Sequence, residues 1–184
     1  LIVGGEPNSI FLEIFFKTLK YRNIKSPLIL ISSEKILKKQ MNKLNFKKKI
    51  KLLNYTNFQN EKLDNKSINL INIEYNQKKA FEKISNKSNK FIENCFLMAF
   101  KILNKKKIYK FINGPISKKN FLKKKYLGIT EYISKKFHVS ENCMLIYNKN
   151  LSVCPITTHL PVKQVASKIN KKNITQKIIL INNF

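Results

Sequence analysis

Pro27-Leu28-Ile29-Leu30-Ile31-Ser32-Ser33 is an apolar run closed by two serines, and its reading decides the fold class. A strand with one wet face alternates apolar and polar residues. A strand without a polar position is covered on both faces, the condition of a parallel sheet between helices. Ser33 is then placed to cap a helix whose inner face is Ile36, Leu37, Met41 and Leu44. Toward the N-terminus, Leu1–Gly4 reads as a short buried strand. Past Pro7-Asn8-Ser9, the residues Ile10, Phe11, Ile14, Phe15 and Leu19 fall on one helical stripe.

Toward the C-terminus, Ile50–Leu53 and Ile68–Ile73 read as strands, separated by the polar stretch Asn54–Lys66. A helix over Asn89–Asn104 would bury Phe91, Ile92, Cys95, Met98, Ala99, Ile102 and Leu103. Ile108–Ile112 then forms a strand that stops at Asn113-Gly114-Pro115. Two helical segments follow, Ser117–Lys124 and Thr130–Phe137. Cys143–Tyr147 and Leu151–Ile156 read as adjacent strands around a turn at Asn148-Lys149-Asn150. Pro161 suits the first turn of a final helix carrying Val162, Val165, Ala166 and Ile169. Strands alternating with helices predict an α/β protein built of crossover units.

The composition bounds the function. A hydrophobic fraction of 43% over 184 residues is that of a folded protein. No apolar run approaches the length of a membrane span, and Leu1–Gly5 has neither a basic nor a cleavable leader character, so a cytoplasmic protein is expected. The formal charge of +27 would suit a polyanion binder. However, Arg22 is the sole arginine, and the lysines are scattered among asparagine and isoleucine, residues with A/T-rich codons. Readers of bases and phosphates favour the planar arginine fork. The pattern therefore argues for drift in base composition over a basic nucleic-acid-binding module, which is kept as the rival reading. Cys95, Cys143 and Cys154 have no zinc or redox spacing and are expected to be small buried hydrophobes. No glycine-rich loop of G-x-G-x-x-G or P-loop type is present.

In parallel sheets, ligands gather at the carboxyl ends of strands. Three such edges stand out: Gly4–Asn8, Asn113–Lys118 and Thr157–Pro161. Their residues, Gly5-Glu6-Pro7, then Asn113-Gly114-Pro115-Ile116-Ser117-Lys118 with Gly128-Ile129-Thr130-Glu131-Tyr132 behind it, then Thr157-Thr158-His159-Leu160-Pro161, resemble in order the motifs of the 4-hydroxythreonine-4-phosphate dehydrogenase family.

The resemblance implies a two-lobed α/β/α fold of the isocitrate/isopropylmalate dehydrogenase-like class. The first lobe is expected over residues 1–118 and the second over 119–184, cut off at Phe184. It implies NAD and a divalent metal (Zn, Mg or Co), a small phosphorylated hydroxy amino acid as substrate, a homodimer, and a place in pyridoxal phosphate synthesis. His159 takes the position of a metal ligand and Thr130 that of a substrate contact. Ile129 stands where the family has a substrate-contacting histidine. Gly5, Glu6, Gly114, Pro115 and Lys118 take the turns that line the cleft. With only His138 and His159 as histidines, the chain is expected not to turn over alone. Apolar surface is expected to be bare around Cys143–Ile156 and on the last helix. A catalytically dead or related dehydrogenase is the nearer alternative.

Overall fold

The run at Pro27–Ser33 forms β2 (Ile29–Ser32), buried along its whole length. It sits in the middle of a sheet whose strands are β1 (Ile2–Val3), β2, β3 (Ile50–Leu52), β4 (Ile68–Asn72) and β5 (Ile112–Asn113). The computed structural model describes residues 1–106, 108, 110–123, 125–139 and 141–183. All described pairings are parallel and the order is β3-β4-β2-β1-β5. The predicted strand at Ile108–Ile112 shortens to Ile112–Asn113, and its residue Tyr109 lies outside the described residues.

Helices α1 (Phe11–Tyr21), α2 (Glu34–Lys43) and α3 (Asn89–Lys106) cover the sheet. Leu12, Phe15, Phe16, Ile36, Leu37 and Met41 from the first two pack on Ile2, Leu30, Ile68 and Leu70. Strand side chains alternate between faces, so Val3, Ile31 and Ile71 turn the other way, where α3 packs against β1 and β2. Ser33 caps α2 as expected: its Oγ accepts from Ile36 N at 3.4 Å and donates to Tyr75 O at 2.5 Å. The α1 stripe is rotated from the expected one. Ile10 and Ile14 are exposed, and Leu12 and Phe16 take the inward places.

The chain divides into two compact units, Leu1–Lys124 and Lys125–Phe184. The expected helix at Ser117–Lys124 is a π-helical turn over Lys118–Leu122, and Lys124 is outside the described residues. The second unit holds α4 (Ile129–Lys136), α5 (Val162–Lys168) and α6 (Lys171–Asn182). The predicted strands at Cys143–Tyr147 and Leu151–Ile156 reduce to one antiparallel bridge, Ile146 with Val153. Around it Ile146, Tyr147, Leu151 and Val153 are exposed, as is Val162 at 89%. Neither α5 nor α6 buries a residue fully. No described helix is long and apolar enough to cross a membrane.

Candidate functional site

The chain runs from β1 through β2 and β3 to β4 on one side, then crosses to β5 on the other side of β1. The carboxyl ends of β1 and β5 are therefore the switch point of the sheet, where open α/β folds place their ligands. Two of the sequence-predicted turns meet there. Gly5 has φ +69, a region that L side chains rarely adopt, and a Cβ on it would lie 2.4 Å from Pro115 O. A Cβ on Gly114 would lie 2.2 Å from Gly4 O. The turns thus touch backbone to backbone, and Glu6 N donates to Pro115 O at 2.8 Å.

This close approach fixes what each residue of the junction can do. Glu6 is 2% exposed, and its carboxylate turns inward. Oε2 accepts from Ser88 Oγ at 2.8 Å and Oε1 from Asn8 N at 3.2 Å. Asn8 Oδ1 in turn accepts from Gln77 Nε2 and Glu82 N, both at 2.8 Å. Glu6 thereby supports the turn from beneath, with Ser88 as a partner that no local motif announces. Pro115 and Lys118 are exposed on the outer side of the junction. Ser117 caps the turn that follows, accepting from Asn120 N at 3.2 Å.

In the second unit, Gly128 is the N-cap of α4, and Ile129 and Thr130 form its first turn, both half-buried. His159 stands over this helix start. Its backbone has φ +58, its side chain is exposed, and Nε2 lies 3.9 Å from the point a Gly128 Cβ would occupy. Glu131 Oε2 lies 2.9 Å from the same point and has no hydrogen-bond partner among the described residues. Glu131 belongs to the Gly128–Tyr132 motif of the sequence, which gave it no role of its own in the site. The Thr157–Pro161 segment does not follow a strand, contrary to expectation: only the Ile146–Val153 bridge precedes it. His138 sits exposed just past the end of α4, its N donating to Lys135 O, a place for a helix-terminal cation.

A divalent cation fits beside His159 in part. It would meet one imidazole nitrogen, one unpaired carboxylate oxygen, and the space a side chain at position 128 would otherwise fill. A nitrogen donor beside an oxygen donor suits zinc or cobalt, whereas magnesium takes oxygen donors. Catalytic ions take about three protein ligands, and no group of three His, Cys, Asp or Glu comes together among the described residues. His159 is thus one donor of a set. For a nicotinamide dinucleotide the residues give no such frame, since no glycine-rich phosphate loop follows any strand.

The profile of the family described as pyridoxal phosphate biosynthetic protein PdxA matches residues 23–184. A 4-hydroxythreonine-4-phosphate dehydrogenase of Sulfurihydrogenibium sp. (strain YO3AOP1) is 32% identical over 190 aligned positions, which take in 98% of this chain and 56% of that protein. The protein of the same name from Aquifex aeolicus (strain VF5) is 28% identical, over 98% of this chain and 55% of its own length. The chain therefore spans about half the length of the curated relatives it matches. The crystal structure of a 4-hydroxythreonine-4-phosphate dehydrogenase from Burkholderia phymatum superposes with TM-score 0.82 over 96% of this chain and 55% of its own, at 20% identity. That likeness establishes the fold, an α/β fold with a parallel sheet.

Proposed function

We infer the function from one premise: this chain belongs to the pyridoxal phosphate biosynthetic protein PdxA family. The activity is that of a 4-hydroxythreonine-4-phosphate dehydrogenase, in which 4-phosphooxy-L-threonine is oxidised with NAD and the resulting β-keto acid loses carbon dioxide. The full enzyme is a cytoplasmic homodimer of the two-lobed isocitrate/isopropylmalate dehydrogenase-like class. The family name and the three ordered turns support this reading. The observation that carries it is the exposed His159 imidazole held over Gly128, with a free carboxylate oxygen beside the same space.

Each residue has a stated part. His159, exposed and with a left-handed backbone, would offer Nε2 to a divalent cation. The cation, when bound, would supply Lewis acidity at the substrate's hydroxyl oxygen. Thr130 and the N–H groups of the α4 N-terminus would hold an anionic group of the substrate. Ile129, in the place of the family's histidine, shapes the wall but brings neither charge nor proton. Exposed Lys118, beyond the Gly114-Pro115 turn, offers a mobile cation to a phosphate or carboxylate. Gly5 and Gly114 let two strand ends approach closely, and Glu6 braces them. NAD enters the proposal through the family resemblance, and no residue of this chain is assigned to it.

The test is the protein carrying this chain, incubated with 4-phosphooxy-L-threonine, NAD and a divalent cation, with reduced nicotinamide followed by absorbance. His159→Ala is expected to cut the rate by roughly a hundredfold, at least the loss that changes around a metal ligand produce. An unchanged rate would remove His159 from the site.

A further inference from the structure

Two thiols in the second unit take no part in the proposed dehydrogenase reaction. Cys143 and Cys154 lie on the two chain segments that the bridge at Ile146 and Val153 ties together. Ile146 N donates to Val153 O at 2.8 Å, and Val153 N donates back to Ile146 O at 2.9 Å. The turn between them is held by its own contacts. Asn150 N donates to Asn148 Oδ1 at 2.9 Å, and Ser152 Oγ donates to Asn148 O at 3.2 Å. On this frame Cys143 neighbours Cys154, whose Sγ reaches Pro155 O at 3.9 Å. Both cysteines are free and only half-buried, against the expectation that all three are core residues. Cys95 meets that expectation. It is buried in α3, and burial pushes its thiol far above the usual range, leaving no thiolate to react.

We propose that Cys143 and Cys154 form a reversible oxidation site, at which hydrogen peroxide joins the two sulfurs into a disulfide. In the first step one thiol gives up its proton and the thiolate attacks a peroxide oxygen; the O–O bond breaks, the proton joins the departing hydroxide, and a sulfenic acid and one water result. In the second step the other thiol attacks the sulfenic sulfur. The S–S bond forms, the S–O bond breaks, and a second water leaves. The pair loses two protons and two electrons, and one peroxide becomes two waters. A small thiol reverses the change by exchange.

The geometry favours this pair over any other. The bridge holds the two segments that carry these cysteines side by side, so that the sulfurs can be brought to the bond length of ~2.05 Å. Burial first, and then the neighbouring Cys143, hold the Cys154 thiol above its ordinary range, so the reaction quickens as pH rises. The disulfide would staple the segment that leads into Thr157-Thr158-His159, and would limit how far that turn can move.

The experiment treats the folded chain with hydrogen peroxide, alkylates the remaining thiols, and maps the peptides by mass. Alkylatable thiols are expected to fall from the three present in the sequence to one, Cys95, with a 143–154 cross-link short of two hydrogens. Dithiothreitol should restore all of them. Cys143→Ser and Cys154→Ser should each abolish the internal cross-link, and unfolding in denaturant before oxidation should abolish the selectivity. The proposal is overturned if Cys143 and Cys154 stay alkylatable in the wild-type chain, if each overoxidises without a cross-link, or if the bond found involves Cys95.

Discussion

Gly114 shows how a single residue decides the junction of strands β1 and β5. Its missing side chain is the space occupied by Gly4 O, which a Cβ would approach to 2.2 Å. Gly114→Ala therefore sets one backbone against another, where no flexible group can yield. The expected loss is at least the ~1–3 kcal/mol typical of overpacking, read as a lower urea midpoint. Gly4→Ala is the control, because its nearest neighbour would be the Ser32 hydroxyl at 3.3 Å, a side chain that can rotate. Equal losses in the two variants would count against the backbone contact. At this scale the sequence was only half readable. Gly-Glu-Pro and Asn-Gly-Pro announce turns, but nothing local says that Glu6 faces Ser88, which is 82 positions away. The closeness of His159 to Gly128 and Glu131 is likewise a product of tertiary folding and has no spacing signature.

Among the elements, α3 was the most legible, because its apolar positions repeat at helical spacing and one side meets the sheet. Phe91, Ile92, Cys95, Ala99 and Ile102 are buried as the pattern requires. The pattern missed Phe96, which is fully buried between Phe100, Phe111 and Phe121, with ring centroids at 5.8, 6.3 and 6.0 Å. Phe96→Ala is expected to cost about 3–5 kcal/mol, as for other buried aromatic truncations. Cooperative thermal unfolding measures it, and a loss below about 1 kcal/mol would mean that these rings do not form one cluster. The phase of α1 was misread for a physical reason: Phe11, Leu12, Ile14, Phe15 and Phe16 make its start apolar nearly all round. Helix α6 was not foreseen at all. No residue of it is fully buried, Ile178 and Ile179 stay exposed, and its clearest sign is Asn170 accepting from Asn173 N at 2.9 Å as a cap.

For the molecule as a whole, the charge of +27 outweighs any local pairing. The described ion pairs join lysines to glutamates at largely exposed positions, where such pairs contribute little. If base composition set this charge, duplex DNA should bind weakly and without sequence preference, with a Kd no tighter than ~10⁻⁶ M at physiological salt, and binding should fade as salt rises. Fluorescence anisotropy across a salt series checks this, and nanomolar binding to one sequence would restore the nucleic-acid reading. The parallel class was legible from residues 27–33 alone, while the position of β5 beside β1 was not, because strand order depends on a crossover that leaves no local mark. That order has a consequence for biosynthesis. β1 is translated well before its outer neighbour, which pairs Ile112 with Ile2 and emerges only after the whole of α3. Until then the nascent chain carries an unpaired edge on β1, the kind of edge on which chains associate. The speed of elongation between Ile2 and Ile112 should therefore bear on yield as strongly as the stability of the finished protein does.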